Sequence, residues 1–238
     1  CNAACPICPR YWAGSKIVQP GLVPTQITFD QFKRWFPPEF LKYQTQRVML
    51  CGNQGDPFAT KDIVPILEYI TTHLPKNRSL MTHSNGGLRR PEVWAEAGKL
   101  MQGSEAWFMW FSIDGLEDTN HLYRRNVKWE ILQRNFRAYI AAGGDAIWQF
   151  IVFSHNKHQL DDVKERLDRE GFSKLMLIHS DREVVDEIDN ERDTKFEVPD
   201  WYDTSDANKI DDVKISDIKF GDKDKKEIHK ANTERSCV

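Results

Sequence analysis

Three cysteines stand within the first eight residues of the chain, in the stretch CNAACPICPR. Cys1, Cys5 and Cys8 form the pattern C-x3-C-x2-C, which lets three thiolates converge on one compact inorganic site if the residues between them make a tight loop. Thiolates are the usual ligands of iron–sulfur clusters, and a cubane held by three of them leaves one iron open. A structural zinc site is the alternative, but it normally needs a fourth Cys or His and paired C-x2-C elements. The pattern therefore favours a cluster with one open iron.

The composition fits a globular protein whose thiols stay reduced. The 238 residues carry 33 Lys and Arg against 36 Asp and Glu, so no basic surface favours nucleic acid or an anionic membrane as a partner. Cysteines are odd in number, and three of them lie too close together in sequence for a disulfide framework. No apolar run reaches the roughly 18 residues of a membrane-spanning helix. We therefore expect a soluble, cytoplasmic protein of one large domain, or of one domain with a small annex.

Short apolar runs rich in aromatic and branched residues alternate with segments of helical character. This alternation predicts βαβ units and an α/β fold with a parallel sheet, open or closed into a barrel. Functional groups in such folds gather at the carboxyl ends of the strands, so the residues directly after each run are the candidates for a site. The predicted strands are residues 47–51, 79–83, 107–113, 146–153 and 174–180, and the predicted helical segments are residues 61–74, 91–100, 127–144 and 158–172.

The texture of the sequence changes from about Asp181, where charge becomes dense and large apolar residues become few. We interpret residues 1–180 as the core and residues 181–238 as a solvated, partly irregular C-terminal extension. The run VKISDIKF, residues 213–220, is a candidate for one strand within that extension.

The cysteine motif at the head of a chain of βα repeats resembles the radical S-adenosylmethionine (radical SAM) superfamily, whose core is a six-stranded, partial (βα)6 TIM-like barrel. The resemblance implies that Cys1, Cys5 and Cys8 hold a [4Fe-4S] cluster, while the amino and carboxylate groups of SAM chelate the fourth iron. Reductive cleavage of SAM, with an electron from a donor such as flavodoxin or ferredoxin, then yields a 5′-deoxyadenosyl radical that abstracts hydrogen from the substrate. Ile7 departs from the family pattern, which commonly has an aromatic residue before the third cysteine.

Two strand ends resemble the SAM-contact motifs of this family. GNQGDP resembles the GGEP-type motif, in which Gly52 and Gly55 allow close backbone approach and Asp56 offers a carboxylate to the SAM amino group. A helix cap is the alternative role for Asp56. HSNGG resembles the S/T-N-G segment, so Ser84 and Asn85 are candidate contacts of the ribose or carboxylate of SAM. A plain turn is the alternative there.

The next two strand ends continue the resemblance in the same order. SIDG resembles the S-[IL]-D-G segment of the family, with Ser112 and Arg124 as candidate contacts of the SAM ribose or carboxylate. Asp114 is expected to structure the loop. FSHN places Asn156 where the family often has a polar SAM contact, and the start of a helix is the alternative interpretation.

Counting strands and cysteines leads to expectations about the ends of the chain. Five predicted strands follow the cysteine loop and none precedes it, so we expect the first strand to lie upstream of Cys1 and the chain to be a fragment. Some radical SAM enzymes carry a C-terminal SPASM or twitch domain with further cysteines. Cys237 is therefore either a ligand of an auxiliary iron–sulfur cluster or a lone thiol, whereas Cys51 is expected to be a small buried residue.

The expected class of substrate is implied only by the resemblance to this family. SPASM-type relatives commonly modify peptides or proteins, so a ribosomal peptide or a protein side chain is the leading expectation, with small metabolites next. A hypothesis of a different class is a non-catalytic iron–sulfur or zinc protein that keeps the βα scaffold as a binding module.

Overall fold

The computed structural model describes residues 1–11, 17–52, 54–178 and 199–201. The chain divides into two units, Cys1–Phe196 and Glu197–Val238, and every feature discussed below lies in the first. The candidate strand 213–220 and Cys237 lie outside the described residues, as does most of the extension that begins at Asp181, so the boundary near residue 180 stays a prediction. No helix among the described residues is long and apolar enough to cross a membrane.

One sheet of five parallel strands forms the centre of the fold. Each strand pairs with the next one along the chain, and the register places Met49 beside Met81 and Trp110 beside Ile147. The α/β class with parallel strands is thereby confirmed, and the simple strand order is consistent with a partial TIM-like barrel. The strands are β1 (Arg47–Leu50), β2 (Ser79–Ser84), β3 (Trp107–Ser112), β4 (Asp145–Ile151) and β5 (Lys174–Ile178).

Helices connect the strands, and four of them match the predicted segments to within three residues at each end. The sequence interpretation missed the helices Phe29–Trp35 (α1) and Asn120–Tyr123 (α4), together with a π-helical turn at Phe40–Gln44 and 3-10 turns at Pro57–Ala59 and Lys157–Gln159. A signal for α1 was present, because Thr28 and Gln31 form a capping box at its start. The helices are α1 (Phe29–Trp35), α2 (Ile63–His73), α3 (Pro91–Met101), α4 (Asn120–Tyr123), α5 (Trp129–Ala141) and α6 (Leu160–Glu170).

The side chains of the sheet alternate between two faces. Phe111 of β3 points to the helical face, where its ring lies 5.3 Å from that of Trp94 and 5.7 Å from that of Tyr139. The helices α3 and α5 pack closely there. Gly98 permits this approach, since a Cβ atom at that position would lie only 2.3 Å from the carbonyl oxygen of Tyr139. This packing fixes the strands, so their carboxyl ends form one rigid edge that can position a site.

Candidate functional site

The cysteine loop, residues 1–11, is tied to the main body of the fold through backbone contacts. The N–H of Cys8 donates to the carbonyl of Cys5 at 3.1 Å, and the N–H of Tyr11 donates to the carbonyl of Cys8 at 3.0 Å. The N–H of Ala4 donates to the carbonyl of Arg125 at 3.0 Å, which attaches the loop to the segment after β3. The loop is therefore a compact double turn held at the carboxyl ends of the strands.

The three thiols of this loop differ in exposure. Cys5 is 6% exposed, whereas Cys1 and Cys8 are half-buried, and all three are free thiols. Burial raises the pKa of Cys5, and the nearby guanidinium of Arg124 acts against that effect. Cys51 is exposed at the end of β1, so the expectation that it is buried was wrong; it lies just beyond the paired residues of an edge strand.

The donor set matches an iron–sulfur cluster in type and number of ligands. Within the described ranges, no three Cys, His, Asp or Glu side chains lie close enough together to hold one metal ion. A cubane cluster binds each thiolate through a different iron atom, so its sulfur ligands stand further apart than those of one zinc ion. Three reduced thiols on one short loop match that requirement in type and number.

A buried carboxylate joins the ends of β1 and β2. Asp56 accepts hydrogen bonds from the N–H of Phe58 at 2.9 Å and from the N–H of Asn85 at 3.0 Å, and the hydroxyl of Ser84 lies 3.0 Å from both of its oxygens. Burial raises the pKa of Asp56, and these hydrogen bonds act against burial. We call Asp56, Ser84 and Asn85 the Asp56 network.

Asp56 also caps the turn Pro57–Ala59, which is the alternative role that the sequence left open. Capping does not remove it from the site, because Asp56 lines a cavity of about 940 Å³ that Cys1 and Gly52 line as well. The two glycines of GNQGDP differ in what they contribute. A Cβ atom on Gly52 would lie 2.2 Å from the carbonyl oxygen of Gly55, whereas one on Gly55 would meet nothing within 4 Å. The close backbone approach therefore requires glycine only at position 52.

Asn85 connects the Asp56 network to the cysteine loop. Its side-chain nitrogen lies 3.4 Å from the sulfur of Cys1 and 3.0 Å from the side-chain oxygen of Asn2. Its side-chain oxygen accepts from the N–H of Gly87 at 2.8 Å, and Asn2 donates to the carbonyl of the same residue at 3.3 Å. The turn after β2 thus holds the first cysteine beside the carboxylate.

A second buried carboxylate joins the ends of β3 and β4. Asp114 is fully buried and accepts from the N–H of Ile151 at 2.7 Å and from Nε of Arg124 at 2.5 Å. The guanidinium of Arg124 continues to Cys5, whose sulfur lies 3.8 Å from its Nη1. Burial acts to lower the pKa of Arg124, but the attraction of Asp114 raises it overall, so the guanidinium stays charged. We call Asp114 and Arg124 the Asp114 network.

The structure places the other two candidate contacts differently. The hydroxyl of Ser112 donates to the side-chain oxygen of Gln149 at 2.9 Å, on the face of the sheet opposite to the helices. Asn156 is fully buried, accepts from the N–H of Phe153 at 2.7 Å and donates to the carbonyls of Asp114 and Ile151. This set of bonds favours a loop-holding role for Asn156, and SAM contact by Ser112, Asn156 or Arg124 stays a prediction.

Two residues of this region were missed by sequence reasoning. Arg89 has a left-handed backbone with φ of 65° and donates to the carbonyls of Phe58 and Ala59 at 2.7 and 2.6 Å, so it clamps the turn that follows Asp56. The sequence GLRRP offers two adjacent arginines and no signal to choose between them. His83 precedes Ser84 on β2, and burial lowers its pKa to about 4 against a hydrogen bond with Gln149. It is therefore neutral at pH 7.

Comparisons with solved structures show which proteins share this fold. SuiB of Streptococcus suis bound to S-adenosylmethionine has a TM-score of 0.55 and 10% identity, covering 89% of this chain and 43% of that chain. SuiB bound to its precursor peptide SuiA has a TM-score of 0.52 and 13% identity, covering 74% of this chain and 36% of that chain. Native anSMEcpe with bound AdoMet has a TM-score of 0.55 and 16% identity, covering 75% of this chain and 48% of that chain.

The chain spans less than half the length of these structures. No protein-family model matches its sequence, and no curated protein matches it. SuiB and anSMEcpe are radical SAM enzymes. At such low identities the likeness shows the fold alone, which is the fold with parallel strands that this chain shares with SuiB and anSMEcpe.

Proposed function

We propose that this chain is the core of a radical SAM enzyme. Cys1, Cys5 and Cys8 hold a [4Fe-4S] cluster in this proposal, and SAM binds at its open iron. The observation that carries the proposal is the position of three free thiols on a loop fixed to two strand ends, through Asn85 on one side and Arg124 on the other. The same fold occurs in neighbours whose structures contain SAM.

The reaction divides between the cofactor and the chain. With a donor such as flavodoxin or ferredoxin, a bound cluster would supply the electron that cleaves SAM to methionine and a 5′-deoxyadenosyl radical, which takes a hydrogen atom from the substrate. Asp56 accepts a hydrogen bond from the amino group of SAM, because Asp56 lines the cavity beside Cys1 and the groups that donate to its carboxylate are neutral. Ser112 and Gln149 offer a polar pair to the ribose hydroxyls.

We infer that the substrate is a peptide or protein side chain. One neighbour of the same fold is bound to a precursor peptide. The cavity of about 940 Å³, which Cys1, Gly52 and Asp56 line, stands at the upper end of the range of about 300–1,000 Å³ that is typical of ligand sites. Deuterium transfer to 5′-deoxyadenosine, measured with deuterated short peptides encoded beside this gene, tests this part of the proposal.

Anaerobic reconstitution of the full chain tests the enzyme itself. We expect about four iron and four sulfide ions per chain, a broad cluster absorbance, and 5′-deoxyadenosine on mass spectrometry after addition of SAM and dithionite. Cys5→Ala should lose both the iron and the product, whereas Cys51→Ala, which removes a thiol outside the motif, should keep its iron. One zinc per chain without the absorbance, or a full cluster without 5′-deoxyadenosine, would instead support a non-catalytic binding module.

A further inference from the structure

We propose that Arg124 raises the reduction potential of the cluster through Cys5, and that Asp114 limits this effect. The inference rests on the proposed function, because it concerns a cluster held by the cysteine loop. Its starting point is a difference between two of the thiols. Cys5 is the more buried and faces a charged guanidinium at 3.8 Å, whereas Cys1 faces the neutral side-chain amide of Asn85 at 3.4 Å.

The guanidinium of Arg124 is held in position before any ligand binds. Its Nε is bonded to Asp114, which is itself anchored by the N–H of Ile151 at 2.7 Å. The side chain of Arg124 is 16% exposed, that of Asp114 is fully buried, and the ring of Tyr123 lies 5.2 Å from the guanidinium carbon. A charge fixed in such surroundings is weakly screened and needs no reorganisation when a neighbouring charge changes.

Reduction of a cluster adds one negative charge to the group that the thiolates hold. A cation next to a ligand sulfur stabilises the reduced form more than the oxidised form, and a hydrogen bond to that sulfur acts in the same direction. Arg124 therefore makes reduction easier. The carboxylate of Asp114 is bonded to the Nε of the guanidinium while Nη1 faces the sulfur, so the pair acts on Cys5 as a dipole with its positive end forward.

The two members of this ion pair consequently have opposite expected effects. Arg124→Gln removes the positive end and should lower the midpoint potential of the cluster. Asp114→Asn removes the opposing charge and should raise it. Arg124→Lys keeps the positive charge but loses the planar group that bonds Asp114 through Nε and Cys5 through Nη1. The midpoint potential of this variant should therefore lie between those of the wild type and Arg124→Gln. A role that is only structural predicts no such ordering.

The test is a redox titration of the reconstituted full chain, followed by electron paramagnetic resonance. Arg166→Gln is the matched control, since it neutralises an arginine that pairs with Glu117 at 2.7 Å on the surface, and its potential should equal that of the wild type. Iron content and thermal unfolding show whether each variant is folded. If Asp114→Asn fails to hold the cluster, the inference is tested by the other variants alone: the midpoint potential should rise from Arg124→Gln through Arg124→Lys to the wild type.

The inference is overturned if Arg124→Gln keeps the wild-type potential, or if its potential and that of Asp114→Asn shift in the same direction. These results are distinct from failure of the proposed function. A wild-type chain that forms no reducible cluster, or forms one and makes no 5′-deoxyadenosine, refutes the proposed function itself. A wild-type chain that does both, with an unchanged potential in Arg124→Gln, refutes only the role of Arg124.

Discussion

The two buried carboxylates at the strand ends are paired in opposite ways. Among the described contacts, the hydrogen bonds to Asp56 come from neutral groups, which are the hydroxyl of Ser84 and two backbone N–H groups. Asp114 instead accepts from the guanidinium of Arg124 and from one backbone N–H. Each network then reaches one thiol of the cysteine loop, through a neutral amide in the first case and through a cation in the second.

This difference shows how one fold can assign two jobs to the same kind of side chain. Neutral donors stabilise an ionised carboxylate without cancelling its charge, while burial raises the pKa of Asp56, so a hydrogen-bond donor of a ligand in the adjoining cavity would complete its pairing. A guanidinium cancels the charge of Asp114, which leaves that carboxylate to hold the loop and the arginine in place. The first network suits ligand binding, and the second suits support of the cysteine loop.

The largest expected effect is the loss of stability when the ion pair of the Asp114 network is broken. Asp114→Ala leaves the guanidinium of Arg124 buried without its carboxylate, which should lower the free energy of unfolding by about 3–5 kcal/mol. Urea unfolding monitored by circular dichroism measures this. Glu117→Ala breaks the exposed pair with Arg166 and should cost less than about 1 kcal/mol. Equal losses in the two variants would show that the Asp114 network is no more than a surface-like ion pair.

Asp56→Ala should destabilise the chain less, by about 2–3 kcal/mol, because it leaves neutral donors unpaired and water from the cavity can reach them. Asp56→Asn keeps one acceptor and should recover part of this loss. Binding of SAM should not recover with it, since an amide oxygen is a weaker acceptor for the amino N–H than a carboxylate is. Isothermal titration with SAM separates the two effects, and tight binding by Asp56→Asn would contradict the ligand-binding role.

His83 stands on β2 next to the Asp56 network, and its ring lies 4.7 Å from that of Trp110 on β3. Its pKa of about 4 in the folded state lies below the ordinary value of 6.5. Between these values the unfolded chain binds more protons, so stability falls as the pH falls, by about 2 kcal/mol between pH 7 and pH 5. Unfolding of His83→Phe at both pH values should lack this loss.

The matched control for His83 is His121→Gln, which changes an exposed histidine and should unfold with the same pH dependence as the wild type. If His83→Phe loses as much stability between pH 7 and pH 5 as the wild type does, His83 is not the group that is buried neutral, and the acid sensitivity belongs to other residues.

The smallest expected effect compares the two thiol contacts directly. Asn85→Ala removes a neutral hydrogen-bond donor from Cys1, so it should lower the midpoint potential of the cluster, but by less than Arg124→Gln does. The same redox titration measures both variants. A larger shift for Asn85→Ala would reverse the comparison and make the neutral contact the dominant one.

Local sequence patterns were sufficient to predict most of the fold. The five apolar runs became β1 to β5 with ends within a few residues of the predicted ones, because aromatic and branched residues in short runs suit buried parallel strands. The cysteine spacing and the order of strand-end motifs likewise pointed to the edge that holds the loop. The seven-residue helix α1 was missed because it is short, although its capping box was visible.

The candidate site could be predicted only as a set of residues. That Asp56, Ser84 and Asn85 share hydrogen bonds depends on β1 and β2 lying side by side in register, which joins residues 28 and 29 positions apart. Arg89 had no signal at all, since its role as a clamp depends on a left-handed backbone and on carbonyls about 30 residues away.

By itself, the sequence determined the residue types that can do chemistry here: three closely spaced thiols and a series of short polar groups after apolar strands. These are local properties, set by spacing and by the period of each element. Only the tertiary structure decided that one carboxylate has neutral partners and the other a cation, with Arg124 placed between Asp114 and Cys5. The reason is that charge compensation depends on which distant residues packing brings within a few ångströms, and no local pattern encodes that.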